Sequence, residues 1–342
     1  MSSGERAAPA ATSADEPGTN GFPTVPFGPG SISLRLYPHN ELDAESIVRE
    51  LCLQAGLALD GGFDGIMTSE HHGGFAGYTA QPLQMASFVL EQNARGWAAA
   101  APLLLPLRPT ALVAEEVAWL QARHPGRVGL GVAAGALPLD FEVAGVRQDD
   151  AVDRFKSELH RLVAMLRGEE LGALEGDPAL RSCQGAPVPV LSAAVSTVAA
   201  VRAARCGAGI LLEGMSAPGR LARLTSAFGE AGGTGSKVLI RRVWLGRLPD
   251  VLVKRQRAVY ESYADRGSAF GADQTIAGDD PVELSERLAA VIAEVGADAV
   301  NLRVQLPGMA PEEVRDQITA IGSLVVGHLR DTWSPADDGA RN

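Results

Sequence analysis

The sequence predicts a single (β/α)8 TIM barrel, and three observations carry that expectation. Short apolar runs alternate with longer segments of helical period, the mark of βα units wrapped around a parallel sheet. Eight such runs occur in order between residues 31 and 304, which suits a closed barrel better than an open sheet. One of them, residues 98–105, is apolar almost throughout, as befits a parallel strand covered on both faces.

Residues 31–36 read as the first strand, followed by a helix in which Ile47, Val48, Leu51, Cys52 and Ala55 form one apolar stripe. Residues 64–68 make the second strand and 98–105 the third. A helix over about 110–122 leads through Pro125 and Gly126 to a fourth strand at 127–132. The next stripe, Phe155, Leu159, Leu162, Val163 and Leu166, leaves Lys156, Glu158 and Arg161 on the polar face. Residues 187–193 form strand five, 196–206 a short helix, 209–213 strand six, 238–245 strand seven and 298–304 strand eight, before a closing helix over about 311–329. Boundaries are least defined between 214 and 280, where residues 229–235 are glycine-rich. The barrel therefore spans 29–333, between an aperiodic, Pro-, Gly- and Ala-rich tail at 1–28, expected to be disordered, and a flexible C-terminal tail at 334–342.

Composition narrows the function. Hydrophobic residues make up 46% of the 342 positions, enough for one large core without a second domain. A formal charge of −11 opposes nucleic acid as a partner, which requires a clustered positive footprint. No stretch approaches the roughly 20 apolar residues that span a bilayer, and the first residues lack a basic start and apolar run, so no membrane partner and a cytoplasmic location are expected. Cys52, Cys183 and Cys206 fall in no C-x-x-C pair and at no metal-ligand spacing, so they read as reduced, buried small hydrophobes.

Active sites of such barrels lie at the carboxyl ends of the strands. His39 follows strand one, Glu70, His71 and His72 follow strand two, Ser196 follows strand five, and Arg303 and Gln305 end strand eight. Adjacent histidines diverge and no third ligand sits at an interpretable spacing, so no metal is expected. An imidazole is a natural proton donor or acceptor near neutral pH, which makes His71 the catalytic candidate and Glu70 its support. A loop-tying role for Glu70, His71 and His72 is the alternative. Along strand eight, Val300, Leu302 and Val304 alternate with Asn301, Arg303 and Gln305, so the polar set is expected inside the barrel. Arg241 and Arg242 stand in tandem on strand seven, one facing each way. Residues 192–196 lead from strand five into a helix whose free N–H groups, with the Ser196 and Thr197 hydroxyls, suit a phosphate. Phe75, Tyr78 and Trp244 are candidate apolar walls for a substrate. The Gly129-x-Gly131 pair is a poor dinucleotide fingerprint, because Gly135 follows Gly131 by four residues rather than three; close packing in strand four accounts for it better. No P-loop and no G-x-S-x-G elbow occurs.

In order along the chain, Ser69-Glu70-His71-His72, Leu105-Pro106-Leu107-Arg108-Pro109, Ala114-Glu115-Glu116-Val117-Ala118 and Gly126-Arg127-Val128-Gly129-Leu130-Gly131 resemble the motifs of the bacterial-luciferase-like family of flavin-dependent monooxygenases. Arg154 resembles an arginine opening the family's next helix, and residues 187–207 resemble its phosphate-binding strand, turn and helix. The resemblance runs over roughly residues 31–330 and implies a cytoplasmic oxidoreductase, a flavoprotein taking reduced FMN. Such enzymes use molecular oxygen to oxygenate a small organic substrate through a flavin hydroperoxide. It implies His71 as the catalytic residue with Glu70 in its support, and Ser196 and Arg154 at the cofactor, where Ala194 and Thr197 are also expected; the positions at the strand ends and in the loops after them give His39, His72, Phe75, Tyr78, Trp244, Arg303 and Gln305 as the substrate-binding candidates. A separate flavin reductase and a homodimeric state are further implications. Two departures weaken the phosphate site: Ala134 stands where a phosphate-binding arginine would follow strand four, and Ala199 replaces a threonine. Relatives on the same barrel use a deazaflavin coenzyme for hydride transfer, which is the alternative reading; a non-catalytic flavin-binding relative is the third.

Overall fold

The computed structural model describes residues 25–263 and 274–333. Its strands are β1 (Ile32–Arg35), β2 (Gly65–Thr68), β3 (Trp97–Leu104), β4 (Val128–Ala133), β5 (Val190–Ala194), β6 (Gly209–Leu212), β7 (Lys237–Leu245), β8 (Ile276–Gly278) and β9 (Ala299–Arg303). All but β8 close into a parallel barrel: neighbours pair in chain order, and β9 bridges β7 and β1. The short β8 only lengthens the upper end of β7. The helices are α1 (Ala44–Asp60), α2 (Pro82–Gln92), α3 (Thr110–Arg123), α4 (Pro138–Ala144), α5 (Ala151–Met165), α6 (Pro178–Ser182), α7 (Thr197–Arg205), α8 (Pro218–Glu230), α9 (Asp250–Tyr263), α10 (Pro281–Val295), α11 (Pro311–Ile321) and α12 (Gly327–Thr332).

The eight expected strands are all present as barrel strands. The largest displacement is at strand five, expected from residue 187 and found from Val190. Pro187 and Pro189 lack the N–H that a ladder needs, so regular pairing starts after them. The helices α4 and α6 were not expected; they are too short to display a stripe. By contrast α10 carries Leu284, Leu288, Ile292 and Val295 on one buried face, a regular stripe just beyond the poorly bounded stretch that was not among the expected elements. The expected closing helix is broken by a π turn at Gly322–Val326. There Gly322 packs on the backbone of Gly61, whose oxygen would lie 2.9 Å from an added Cβ.

Inside the barrel three layers succeed one another. The lowest is an apolar plug of Phe27, Met67, Trp97, Ala99, Ala101, Leu191, Leu211, Val238 and Ala299. Phe27 meets Trp97 edge-on, with ring centroids 5.1 Å apart. Two glycines make room for the pair: a Cβ on Gly65 would sit 2.1 Å from the Trp97 ring, and one on Gly129 would sit 2.7 Å from Phe27. Gly131 likewise allows Ala101 to approach, so the glycines of strand four serve close packing as expected. Phe27 falls in the segment expected to be a disordered tail, yet it is 1% exposed because the barrel floor needs a large apolar group there. Residues 1–24 and 334–342, the rest of both expected tails, lie outside the described residues.

Above the plug comes a polar layer. Arg35 donates from Nε to Asn301 Oδ1 at 2.8 Å and from Nη1 to the Ala101 carbonyl at 2.8 Å, and it also reaches Ser69 Oγ. Asn301 in turn donates to Ser33 Oγ at 2.9 Å. The alternation expected on strand eight therefore holds: Val300, Leu302 and Val304 face the helices and Asn301 faces inward. On β7 the inward set is Val238, Ile240 and Arg242, which assigns Arg242 to the interior and leaves Arg241 toward the helix side. The third layer is the open mouth. Among the described residues no helix is long and apolar enough to cross a membrane, and no three His, Cys, Asp or Glu side chains are arranged to hold a metal ion.

Candidate active site

The chain leaves β2 through Ser69, Glu70, His71 and His72 and is tied back on itself at Thr79. The His71 N–H donates to the Thr79 carbonyl at 3.1 Å, and the Thr79 N–H donates to the Ser69 carbonyl at 3.2 Å. This short parallel bridge, Glu70 against Thr79, sends consecutive side chains to opposite sides. Glu70 and His71 both line the mouth, Glu70 turned toward Arg108 and the β3 exit and His71 toward Asp140.

Glu70 is 1% exposed. Its Oε2 accepts the Leu104 N–H at 2.5 Å, and its Oε1 pairs with Arg108 and with His72 Nε2, the latter at 3.0 Å. Burial pushes the Glu70 carboxyl above its ordinary value, against the pull of Arg108, the Leu104 N–H and His72. Glu70 thus fastens the β2 exit to the β3 exit.

His71 is held by a different carboxylate. Its Nδ1 lies 2.7 Å from Asp140 Oδ2, and Asp140 Oδ1 accepts the His72 N–H at 2.8 Å. Asp140 sits in the first turn of α4, 1% exposed. Because an ionised carboxylate only accepts, the proton between the two belongs to Nδ1, which leaves Nε2 of a neutral imidazole as an acceptor. Aromatic rings fix the imidazole on its other sides: Tyr78 at 4.5 Å and Phe75 at 5.0 Å between centroids.

His71 lines a cleft of about 630 Å³ at the mouth, a size that suits a cofactor or drug-sized ligand. Its floor is Arg35 and Ser69, its sides include Leu104, Ala133, Ala134 and Phe155, and its far end is Ser196 with Val198, Ala199 and Arg202 of α7. Ser196 is the N-cap of α7, its hydroxyl accepting the Ala199 N–H at 3.3 Å. A second, smaller cleft of about 100 Å³ adjoins the first and contains His39, Glu41, Arg242, Gln256 and Gln305. Tyr37, Tyr78 and Arg303 line both. The two tyrosine rings meet edge-on at 5.7 Å, and the Arg303 guanidinium lies 5.4 Å from the Tyr37 centroid, so an aromatic partition separates the clefts.

The model of the family described as luciferase-like monooxygenase matches residues 34–328. The chain belongs to the luciferase-like monooxygenase family. No curated protein matches it. Solved structures with the same luciferase-like barrel include the monooxygenase RslO1 from Streptomyces bottropensis, 18% identical, with 87% of this chain and 99% of that chain covered at a TM-score of 0.71. Another is the oxygenating constituent of 3,6-diketocamphane monooxygenase from Pseudomonas putida in complex with FMN, 19% identical, covering 87% and 98% at 0.67. A third is an F420-dependent secondary alcohol dehydrogenase in complex with an F420-acetone adduct, 16% identical, covering 88% and 99% at 0.62. At these identities the likeness is one of fold.

Within this luciferase-like barrel the sequence candidates divide. Glu70, His71, Tyr78, Ser196 and Arg303 reach the main cleft, and Tyr78 and Arg303 also line the smaller one, which His39 and Gln305 reach. Glu70 does not support His71 as expected, because the alternation at the bridge turns it toward Arg108. His72 joins Glu70 rather than either cleft, and Phe75 acts through its contact with the His71 ring. Ala194 faces the outer core, its neighbours Ala193 and Val195 being the residues at the cleft. Thr197 and Arg154 are not among the cleft walls. Trp244 packs in the core with its indole N–H on the Arg247 carbonyl at 3.2 Å, so it forms no wall of either cleft. His39 is 2% exposed, accepting from Gln54 at Nε2 (3.0 Å) with Nδ1 3.2 Å from Glu41. Sequence reasoning missed Asp140, Arg108, Arg35 and Arg202. The one available signal for Asp140 was its place two residues after Pro138, an acidic group in the first turn of a helix opened by proline.

Proposed function

We propose that the chain is a reduced-flavin-dependent monooxygenase that oxygenates a small organic substrate at the mouth of the barrel. The observation that carries this reading is His71, oriented by buried Asp140 and lining a cleft that runs to the N-cap of α7. The cleft suits a flavin on three counts: its volume, the helix start with Ser196 at one end, and the buried Arg202 Nε without a hydrogen-bond partner among the described residues.

Reduced FMN, when bound, supplies two electrons and activates molecular oxygen, so that one oxygen atom enters the substrate and the other leaves as water. The chain's own residues do the rest. Ser196 and the start of α7 hold the phosphate, and His71 takes or returns a proton at Nε2 while Asp140 keeps its tautomer fixed. Tyr37, Tyr78, Leu104 and Phe155 restrict water around the reacting groups. The smaller cleft, reached past Tyr37 and Tyr78, takes the polar end of the substrate. Reduced flavin arrives from a separate reductase in this reading, since the chain has no dinucleotide fingerprint.

The test is to mix purified protein anaerobically with reduced FMN and, separately, with the reduced deazaflavin coenzyme, then admit oxygen and candidate substrates. Incorporation of one atom of labelled oxygen with FMN is the expected result. Oxygen-independent hydride transfer with the deazaflavin would replace this reading by the hydride-transfer one, and no turnover with either would favour a non-catalytic flavin-binding relative.

A further inference from the structure

We propose that the substrate ends in a carboxylate with a hydroxyl on the neighbouring carbon and that the smaller cleft seats this end, a proposal that rests on the reading above and names its substrate class. Arg242 on β7 and Arg303 on β9 are register partners on adjacent strands, and both line the cleft. They are 1% and 9% exposed. Like charges set side by side destabilise a sheet, the more so where burial weakens solvent screening, and an anion between them relieves the repulsion. A third guanidinium reaches the rim, where a Cβ added at the cleft wall Gly308 would collide with Arg255 Nη1. The planar guanidinium fork matches the two oxygens of a carboxylate.

The other polar walls decide what accompanies the charge. Among the described residues the one carboxylate lining this cleft is Glu41, whose side chain is 56% exposed and lies 3.2 Å from His39 Nδ1. Water and salt screen it, so the buried arginines set the sign of the cleft. His39 adds no donor: its Nε2 accepts from Gln54, itself held by Glu50 at 2.9 Å, and its Nδ1 faces Glu41. Gln305 is 8% exposed, and its Oε1 is buried with no hydrogen-bond partner among the described residues. A buried acceptor left unmade is costly, so the ligand brings a donor as well as a charge. A phosphate offers acceptor oxygens, and a neutral amide carries no charge. A 2-hydroxy acid supplies both groups from adjacent carbons and fits a volume of about 100 Å³. The body of the substrate then passes Tyr37 and Tyr78, which line both clefts, toward His71.

The experiment titrates the wild-type chain, alone and with saturating FMN, with mandelate, phenylacetate, mandelamide and benzylphosphonate by calorimetry at neutral pH. Mandelate should bind about 10- to 100-fold more tightly than mandelamide, the range for hydrogen bonds to a charged group. It should bind about 3- to 10-fold more tightly than phenylacetate, the range for one neutral hydrogen bond. In variants that still unfold cooperatively, Arg303→Met should bring the acid-to-amide ratio close to one, and Gln305→Met should abolish only the preference for the hydroxyl. Amide bound as tightly as acid overturns the anion seat, equal affinity for mandelate and phenylacetate overturns the hydroxyl, and benzylphosphonate bound more tightly than mandelate replaces the hydroxy acid by a phosphorylated ligand. An acid-to-amide ratio that survives Arg303→Met removes the seat from this cleft. The wild-type comparisons decide even where a variant fails to fold. Binding of FMN without binding of any acid overturns the proposal and leaves the flavin reading standing, whereas binding of mandelate without FMN removes the flavin reading and keeps the seat.

Discussion

His71 Nδ1 and Asp140 Oδ2 stand 2.7 Å apart, and the second oxygen of the same carboxylate holds the His72 N–H at 2.8 Å. One buried group from the β4 exit thus fixes both the ring and the backbone of the β2 exit. That arrangement makes the tautomer of His71 a property of Asp140.

Asp140→Asn is the substitution that isolates this effect. Its amide oxygen can keep the His72 N–H, and its NH₂ then faces Nδ1. His71 must accept there and carry its proton on Nε2, the reverse of the wild-type arrangement. Turnover should fall by roughly 10²- to 10⁴-fold, the usual weight of general acid–base catalysis, with flavin affinity little changed. Single-turnover oxygenation together with a flavin titration checks both halves. Wild-type turnover would remove the dyad from the chemistry.

Glu70 gives a pH dependence whose sign follows from its burial. A carboxyl whose pKa is higher in the folded chain binds more protons there than when unfolded. Its contribution to stability is therefore present below the ordinary carboxylate value and is lost as pH rises through the folded value. Glu70→Gln removes that titration. The stability of the variant relative to wild type should rise as pH increases across this window, as read from urea unfolding at a series of pH values. A difference independent of pH would show that Glu70 has the same pKa folded and unfolded.

How much of this was legible in the sequence depends on the range of the interaction. The barrel strands were, because period and apolarity are local. Even the inward set of β9 followed from strict alternation along Asn301, Arg303 and Gln305. The pairing of His71 was not, because Asp140 lies 69 residues away on a helix too short to leave a periodic trace. The same motif misled about Glu70: adjacency in the chain suggested support for His71, whereas in extended backbone neighbouring side chains diverge, and Glu70 instead meets Arg108, 38 residues on. Trp244 looked like a wall because it ends a barrel strand, but its ring packs in the core where β8 pairs alongside β7, and no local pattern announces a three-residue strand.

The barrel floor offers a stability test remote from the mouth. Phe27 is 1% exposed against Trp97 and has a backbone φ of 63°, an uncommon value for a residue with a side chain. Phe27→Ala should cost about 3 to 5 kcal/mol, the range for emptying a buried aromatic site, and lower the unfolding temperature accordingly. Turnover per folded molecule should stay at the wild-type level, since the polar layer of Arg35 and Asn301 separates the plug from the cleft. A loss below about 1 kcal/mol in denaturant unfolding would mean that neighbouring side chains refill the space.

The sharpest test sets the two adjacent histidines against each other. His71 lines the cleft and meets Asp140; His72 lines neither cleft and bonds Glu70. If these placements decide function, the two side chains should separate stability from chemistry in opposite directions. His71→Gln keeps polarity and approximate size but cannot exchange a proton near neutral pH, so turnover should fall by roughly 10²- to 10⁴-fold while stability changes little. His72→Gln removes one partner of a buried carboxylate that keeps Arg108 and the Leu104 N–H, so it should cost about 1 to 3 kcal/mol of stability and much less of turnover. Both variants are to be measured for denaturant unfolding and for oxygenation per bound flavin. Equal losses of turnover would mean that the loop acts as one unit and that the division between a catalytic and a fastening histidine is wrong. A His71→Gln variant with wild-type turnover but reduced stability would reduce both residues to loop ties.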